Sequence, residues 1–356
     1  MNTVSTLAMS YRSRAMVSST QAELSRLAGE IGTGFKRDVA ASAGTRLGEA
    51  ISARNVMDRI EQYDSSMTLV GMRLSTMETS LREVEDVASG FFAKLSAMQG
   101  DAQTAGAMRE EALSALARIV QAFNVSSGDR FLFSGVDVTS PPLQDPTVVN
   151  PRTGLSPLQA MQQMVAANPP ADAASAAALA DLIGTAFADG TAPAGSGFEE
   201  TFYNGTPSLA ADGTPSRRVS GVIGDGRTIE YGIQANDPAF RDILRGIYMI
   251  AAADFSSMPE EAYEAYVGAA FDAVGNGLSA SRAVMANLGG QQNEVEALRK
   301  ANEKATALLN ERIIEIEASD LVEANARMNV LETQLQASIA ITNRLSSLSV
   351  AAMLSR

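Results

Sequence analysis

Few stretches of this 356-residue chain have residue types that could do chemistry. Gly29 and Gly34 precede Lys36, and a glycine-rich loop leading to a lysine is how a P-loop cradles phosphate. Here Phe35 displaces the lysine and a helical pattern, not a strand, leads in, so the residues read as a helix-ending turn. The run Gly221-Val222-Ile223-Gly224-Asp225-Gly226 is also glycine-rich, but a β-turn accounts for it. Glu260-Glu261 and the carboxylates from Glu311 to Glu317 lack the ligand spacing of a calcium loop and read as solvated helix face. Asn124-Val125-Ser126 and Asn204-Gly205-Thr206 match the glycosylation sequon, a triplet common by chance.

The chain has no Cys, His or Trp. Thiol nucleophiles, disulfides, Cys/His zinc sites and imidazole proton transfer are therefore excluded. No catalytic residue, cofactor or metal site is expected, and no enzymatic activity. With 28 Lys+Arg against 41 Asp+Glu the net charge is −13. That balance offers no basic excess for nucleic acid or for an anionic membrane surface. Arg12 and Arg14 interrupt the N-terminal stretch before an apolar core of signal-peptide length forms, so no cleaved hydrophobic signal is expected. No apolar run approaches transmembrane length, and no membrane insertion is expected.

The organising element is a stripe. Val56, Ile60, Tyr63, Met67, Val70, Leu74, Met77, Leu81, Val84, Ala88, Phe91, Leu95 and Met98 are spaced 4,3,4,3 without a break, and charges fall off the stripe. Spacing of 3.5 residues over about six heptads predicts a helix roughly 60 Å long that lies against a partner. The methionines on it read as core, not as cofactor ligands.

Around it, residues 3–31 form a weakly amphipathic helix ended by Gly32-Thr33-Gly34. A helix near 105–125 stops at Ser126-Ser127-Gly128, and Arg130-Phe131-Leu132-Phe133 is strand-like. Short helices are expected over 158–165 and 173–187. Strands are expected at Phe202-Tyr203, 218–223 and 228–233, with turns at Asp212-Gly213 and Asp225-Gly226. Helices return after Asn236-Asp237-Pro238. In the last tract a seam through Val295, Leu298, Asn302, Ala305, Leu309 and Ile316 restarts two residues out of step as Leu321, Ala324, Met328, Leu331, Leu335, Ser338, Thr342 and Leu345. That jump predicts a break near Ser319-Asp320.

The expected fold is mainly α. A long antiparallel helical bundle or coiled coil forms from the N- and C-terminal regions, with an inserted, smaller mixed α/β domain rich in β signals. The expected parts are terminal helices 1–45 and 320–356, a bundle of 46–135 with 238–319, and the insert 136–237. Ile339, Ile341, Leu348, Val350, Met353 and Leu354 lie beside or away from the last seam. A helix apolar on more than one side needs more than one neighbour. Either the termini become ordered on assembly, or a self-contained bundle buries them.

The same residues resemble the flagellin superfamily, and within it the hook-associated proteins of the hook–filament junction. The family's N-terminal helix ends in a Thr-Gly-Lys-Arg-like turn; here Gly32-Thr33-Gly34 is followed by Phe35 and Lys36-Arg37. A Phe-Leu-Phe-Gly-Gly-like run followed by Pro-Pro is matched by Phe131-Leu132-Phe133-Ser134-Gly135 and Pro141-Pro142. The C-terminal pattern reads Asp320-Leu321-Val322-Glu323-Ala324, Met328, Leu331, Leu335-Gln336-Ala337-Ser338, Arg344-Leu345 and Leu348-Ser349. Filament flagellins end in a Gln-Ala-Asn-Gln segment followed by Pro and Leu, which this tail lacks. The family's Asp-Asp-Pro after the Lys-Arg turn is replaced by Asp38-Val39-Ala40-Ala41.

The resemblance implies an extracellular structural component of the bacterial flagellum, exported unfolded by the flagellar type III apparatus without a cleaved signal. It implies these partners: further copies in a homo-oligomeric ring, the other hook-associated junction protein, flagellin, and a cytoplasmic export chaperone. Assembly and chaperone contacts are expected at Leu7, Tyr11, Leu24, Leu27, Ile31, Leu321, Met328, Leu331, Leu335, Ile339, Leu345, Leu348 and Leu354. The alternatives are a filament flagellin and, from another class, a soluble helical binding adaptor or adhesin.

Overall fold

The structure, a computed structural model, describes residues 3–98, 105–188 and 197–354. In chain order its helices are α1 (Thr3–Thr33), α2 (Val39–Ala43), α3 (Leu47–Met98), α4 (Ala105–Phe123), α5 (Pro157–Ala167), α6 (Ala173–Phe187), α7 (Pro238–Ala252), α8 (Glu260–Glu317) and α9 (Leu321–Leu354). Two small antiparallel hairpins accompany them, β1 (Ser126–Ser127) with β2 (Arg130–Phe131), and β3 (Ser220–Gly224) with β4 (Arg227–Glu230). The fold is mainly α. The chain forms two compact units: a central one of residues 62–301, and a terminal one of 1–61 with 302–356. Helices α3 and α8 contribute to both.

In the central unit the predicted stripe is the core. From Met67 to Leu95 every stripe residue on α3 is buried, and Leu74, Leu81, Val84, Ala88 and Leu95 have no exposed surface. The antiparallel partner is α8. Side-chain rungs join the two at Asp64–Arg299 (3.2 Å), Glu78–Gln292 (2.9 Å) and Glu85–Arg282 (2.8 Å), and the Phe92 and Phe271 rings stack at 4.2 Å. Helix α4 returns along α3, with ion pairs Glu83–Arg118 (2.6 Å) and Lys94–Glu111 (2.7 Å). The strand expected at 130–133 shortens to Arg130–Phe131, because Leu132 and Phe133 turn into the core.

Helix α7 is buried along most of its length, touching α4, α5 and α6. It approaches α8 closely where both carry glycine. A Cβ on Gly246 would stand 2.6 Å from the Ala270 carbonyl oxygen, and one on Gly277 2.7 Å from that of Ala239. No other residue permits that crossing.

Residues 136–237 contain less strand than their turn signals predict. Helix α5 starts with a reciprocal cap between Ser156 and Gln159, and α6 with one between Asp172 and Ser175. Phe202, expected in a strand, ends a π-helical turn over Phe198–Phe202. The wider turn stacks the Phe198 and Phe202 rings (5.7 Å) and sets Phe202 edge-on against Tyr248 (5.0 Å). Tyr203 then forms a single bridge with Leu143. The Asp225-Gly226 hairpin is present as β3–β4, with Gly226 at φ 64°. It rests on both long helices: the Ser66 hydroxyl donates to the Val222 carbonyl (2.6 Å), and the Gln291 amide to that of Glu230 (2.6 Å). One apolar core runs through this segment and the helices alike, including Leu143, Leu179, Tyr203 and Ile229 beside Leu74, Phe123, Ile247 and Tyr266.

Candidate assembly interface

The terminal unit contains the residues expected to contact other proteins. Helices α1 and α9 pair antiparallel: the Ser13 and Thr342 hydroxyls meet at 2.5 Å, and Arg327 reaches Glu23 at 3.7 Å. The inward residues of α1 are Val17, Thr20, Leu24, Leu27 and Ile31. Those of α9 are Ala324, Met328, Leu331, Leu335 and Ser338, in the frame predicted after the jump. Thr20, Leu27 and Ala324 are buried, and the rest are half-buried. A pair of helices with hydroxyls in its seam leaves little apolar area to bury.

The break predicted at Ser319-Asp320 separates α8 from α9. Asp320 begins α9, its carboxylate accepting the Val322 and Glu323 amides at 2.9 and 3.1 Å. The break is tied to the turn after α1. Phe35 bridges Ala318, the Lys36 amide donates to the Glu317 carbonyl (2.9 Å), and the Ser319 amide to that of Gly34 (2.9 Å). Gly34 ends α1 at φ 77°, a left-handed conformation that glycine adopts without penalty. Two signatures at opposite ends of the sequence are therefore one structure. Asp38, where the family has Asp-Asp-Pro, caps the short helix α2 through the Ala41 amide (2.9 Å).

Ion pairs surround this elbow. Arg26 holds the buried Glu30 at 2.6 Å and Glu23 at 2.6 Å, and Glu30 also accepts the Arg37 amide (3.0 Å). The hydrogen bond from Arg26 holds the Glu23 carboxyl below its ordinary range, against a smaller opposing effect of burial. Glu315 is lowered likewise by hydrogen bonds from Arg312 and Arg46. Arg54 pairs with Glu317 at 2.6 Å. The residues that resembled chemical motifs are engaged structurally. The Lys36 ammonium donates to the Ile316 carbonyl at 3.0 Å, where no phosphate loop exists. Asn124 holds both the carbonyl and the amide of Leu143, and Asn204 donates to Gln144 while accepting from Asn150 and Arg152. Among the described residues no carboxylate cluster could hold a metal, and no helix is long and apolar enough to cross a membrane.

Of the expected contact residues, Leu24, Leu27, Ile31, Met328, Leu331 and Leu335 line the chain's own α1–α9 seam. Tyr11 (66% exposed), Leu321 and Ile339 face solvent. The side chains of Leu7, Leu345, Leu348 and Leu354 lie outside the described residues. The sequence placed Ile341 off the seam, and the structure shows that it ends a longer second stripe on α9, formed with Val322, Ala326, Val330, Thr333 and Ala337, all exposed. It is two residues out of phase with the seam, so it lies about 200° round the helix. Val322 is 81% and Val330 65% exposed. The signal was legible as a 4,4,3,4,4 spacing, overlooked because alanine and threonine fill half of it. On α1, Met9 and Met16 are exposed as well. Helix α9 is thus apolar on two faces, one of which this chain does not cover.

Charge divides as sharply. The terminal unit has 13 Lys+Arg and 13 Asp+Glu; the central unit has the remaining 15 and 28, and hence the whole −13.

The family model of the bacterial flagellin N-terminal helical region matches residues 4–137, and that of the C-terminal helical region matches residues 271–354. Together they cover more than half of the chain. A search of curated proteins finds no match. A solved structure from Vibrio parahaemolyticus, described as a flagellar hook-associated protein, is similar at a TM-score of 0.50 and 15% identity, over 76% of this chain and 97% of its own. At that identity the likeness shows a shared fold. The two matched regions are the ones that meet at the Gly34–Ser319 elbow, and the chain belongs to the flagellin superfamily, as a structural protein of the bacterial flagellum.

Proposed function

We propose that the chain is a hook-associated protein of the hook–filament junction, of the FlgL kind, which assembles into a ring through its terminal helices. The observation that carries this reading is the uncovered stripe of α9 from Val322 to Ile341. An apolar face that the chain leaves open is suited to a neighbouring subunit, and a repeated head-to-tail contact generates a ring or a helical array. Residues 1–45 and 320–356 are then the inner, assembly-ordered layer, and residues 136–237 an outer part. The partners are further copies, a second junction protein on the hook side, flagellin on the filament side and, before export, a cytoplasmic chaperone covering the C-terminal helix. The route is export to the cell exterior.

A filament flagellin is the second reading, favoured by the two matched family regions. Copy number in isolated flagella separates them: a junction ring contains few copies and a filament thousands. Uniform cytoplasmic localisation, with no copies in purified flagella, would sink both and leave the adaptor reading.

A further inference from the structure

We infer that the central unit's charge is a brake on self-association, released when dissolved salt screens it. The inference rests on the proposed assembly through the terminal unit. That unit is electrically neutral, with 13 charges of each sign, and much of its carboxylate is paired within it. Arg26 holds Glu23 and Glu30, Arg312 holds Glu49 and Glu315, and Arg54 holds Glu317. Two such surfaces can approach with little net Coulomb force. Each copy nevertheless brings a central unit of −13 in the same chain. Carboxylates such as Asp86, Glu110, Asp129, Asp181, Asp225 and Asp272 are exposed there. Repulsion between like charges extends about 30 Å at 0.01 M salt and about 8 Å at 0.15 M. Net charge of this size keeps chains apart until it is screened. Association by this route strengthens as salt rises, whereas association through opposite charges would weaken.

The test is sedimentation equilibrium of the full chain at 10 and 150 mM NaCl, pH 7, a range too dilute for salting out. A variant with Asp86→Asn, Glu110→Gln, Asp129→Asn, Asp181→Asn, Asp225→Asn and Asp272→Asn is measured in parallel. The association constant of the parent should rise about tenfold between the two salts. The variant, whose central unit keeps a charge of −7, should associate more tightly than the parent at 10 mM and gain less from added salt. A parent that associates with a flat or falling salt response overturns the brake alone. No association by either protein at any salt removes the assembly reading, and the brake with it.

Discussion

The central and terminal units are both built on heptad helices, yet only one of them completes its own burial. On α3 the seam from Met67 to Leu95 is filled by Met, Val, Leu, Ala and Phe, and α8 with α4 closes it from water. On α1 and α9 the seam includes Ser13, Thr20, Ser338 and Thr342, and most of it stays half-buried. The first unit also has all of the net charge and the second none. Periodicity says that a helix has a partner. Seam composition says whether that partner suffices, and the charge balance says whether more copies can come close.

The contrast can be broken at several points. The largest effect is expected from deleting residues 320–356. The truncated chain should fail to enter flagella, while circular dichroism and denaturant unfolding still report a cooperatively folded central unit. Normal motility in that strain would contradict the assignment of α9 to assembly.

Next, the two seams should respond differently to the same truncation. Leu81→Ala, in a fully buried site, should cost about 2–5 kcal/mol in urea unfolding. Leu335→Ala, half-buried in a thinner seam, should cost about 1 kcal/mol. Equal losses would mean that the terminal pair is as well packed as the bundle.

Val330→Glu sharpens the same division from the outside. At 65% exposure the change should move monomer stability by no more than about 0.5 kcal/mol. It should nonetheless block incorporation, because a carboxylate would be buried in the proposed subunit contact. Wild-type incorporation would show that the open stripe of α9 faces solvent in the assembled structure too.

The smallest effect is expected from pH. Glu23 has a folded pKa below its ordinary value of 4.5, chiefly through the hydrogen bond from Arg26. Its contribution to the folded terminal unit is therefore complete above that ordinary value and is lost as pH falls through the lowered one. Thermal unfolding of the parent should show a slightly steeper acid decline than that of Glu23→Gln.

The bundle was legible because Val56–Leu95 combines a regular period with large side chains, and the α8–α9 break because the seam frame jumps at Ser319. The strand expected at Phe202 failed for a tertiary reason. Phe187 and Tyr248, supplied by α6 and α7, reward a π-helical turn that local propensity does not predict. The second stripe of α9 was legible at Ile341 but hidden toward Val322 by its own composition, since alanine and threonine at helical spacing look like filler until their exposure is known. The Gly34 turn and the Asp320 start were both visible, but nothing local could say that they bind one another.

That elbow has a temporal consequence. Its hydrogen bonds join residues 34–36 to residues 317–319, so the turn has nothing to grip until nearly the whole polypeptide is available. A chain delivered end-first, from the ribosome or through a narrow conduit, reaches its destination with this fastening still undone. The place where α9 is directed back along α1 is therefore fixed late, after the central unit has had its chance to collapse.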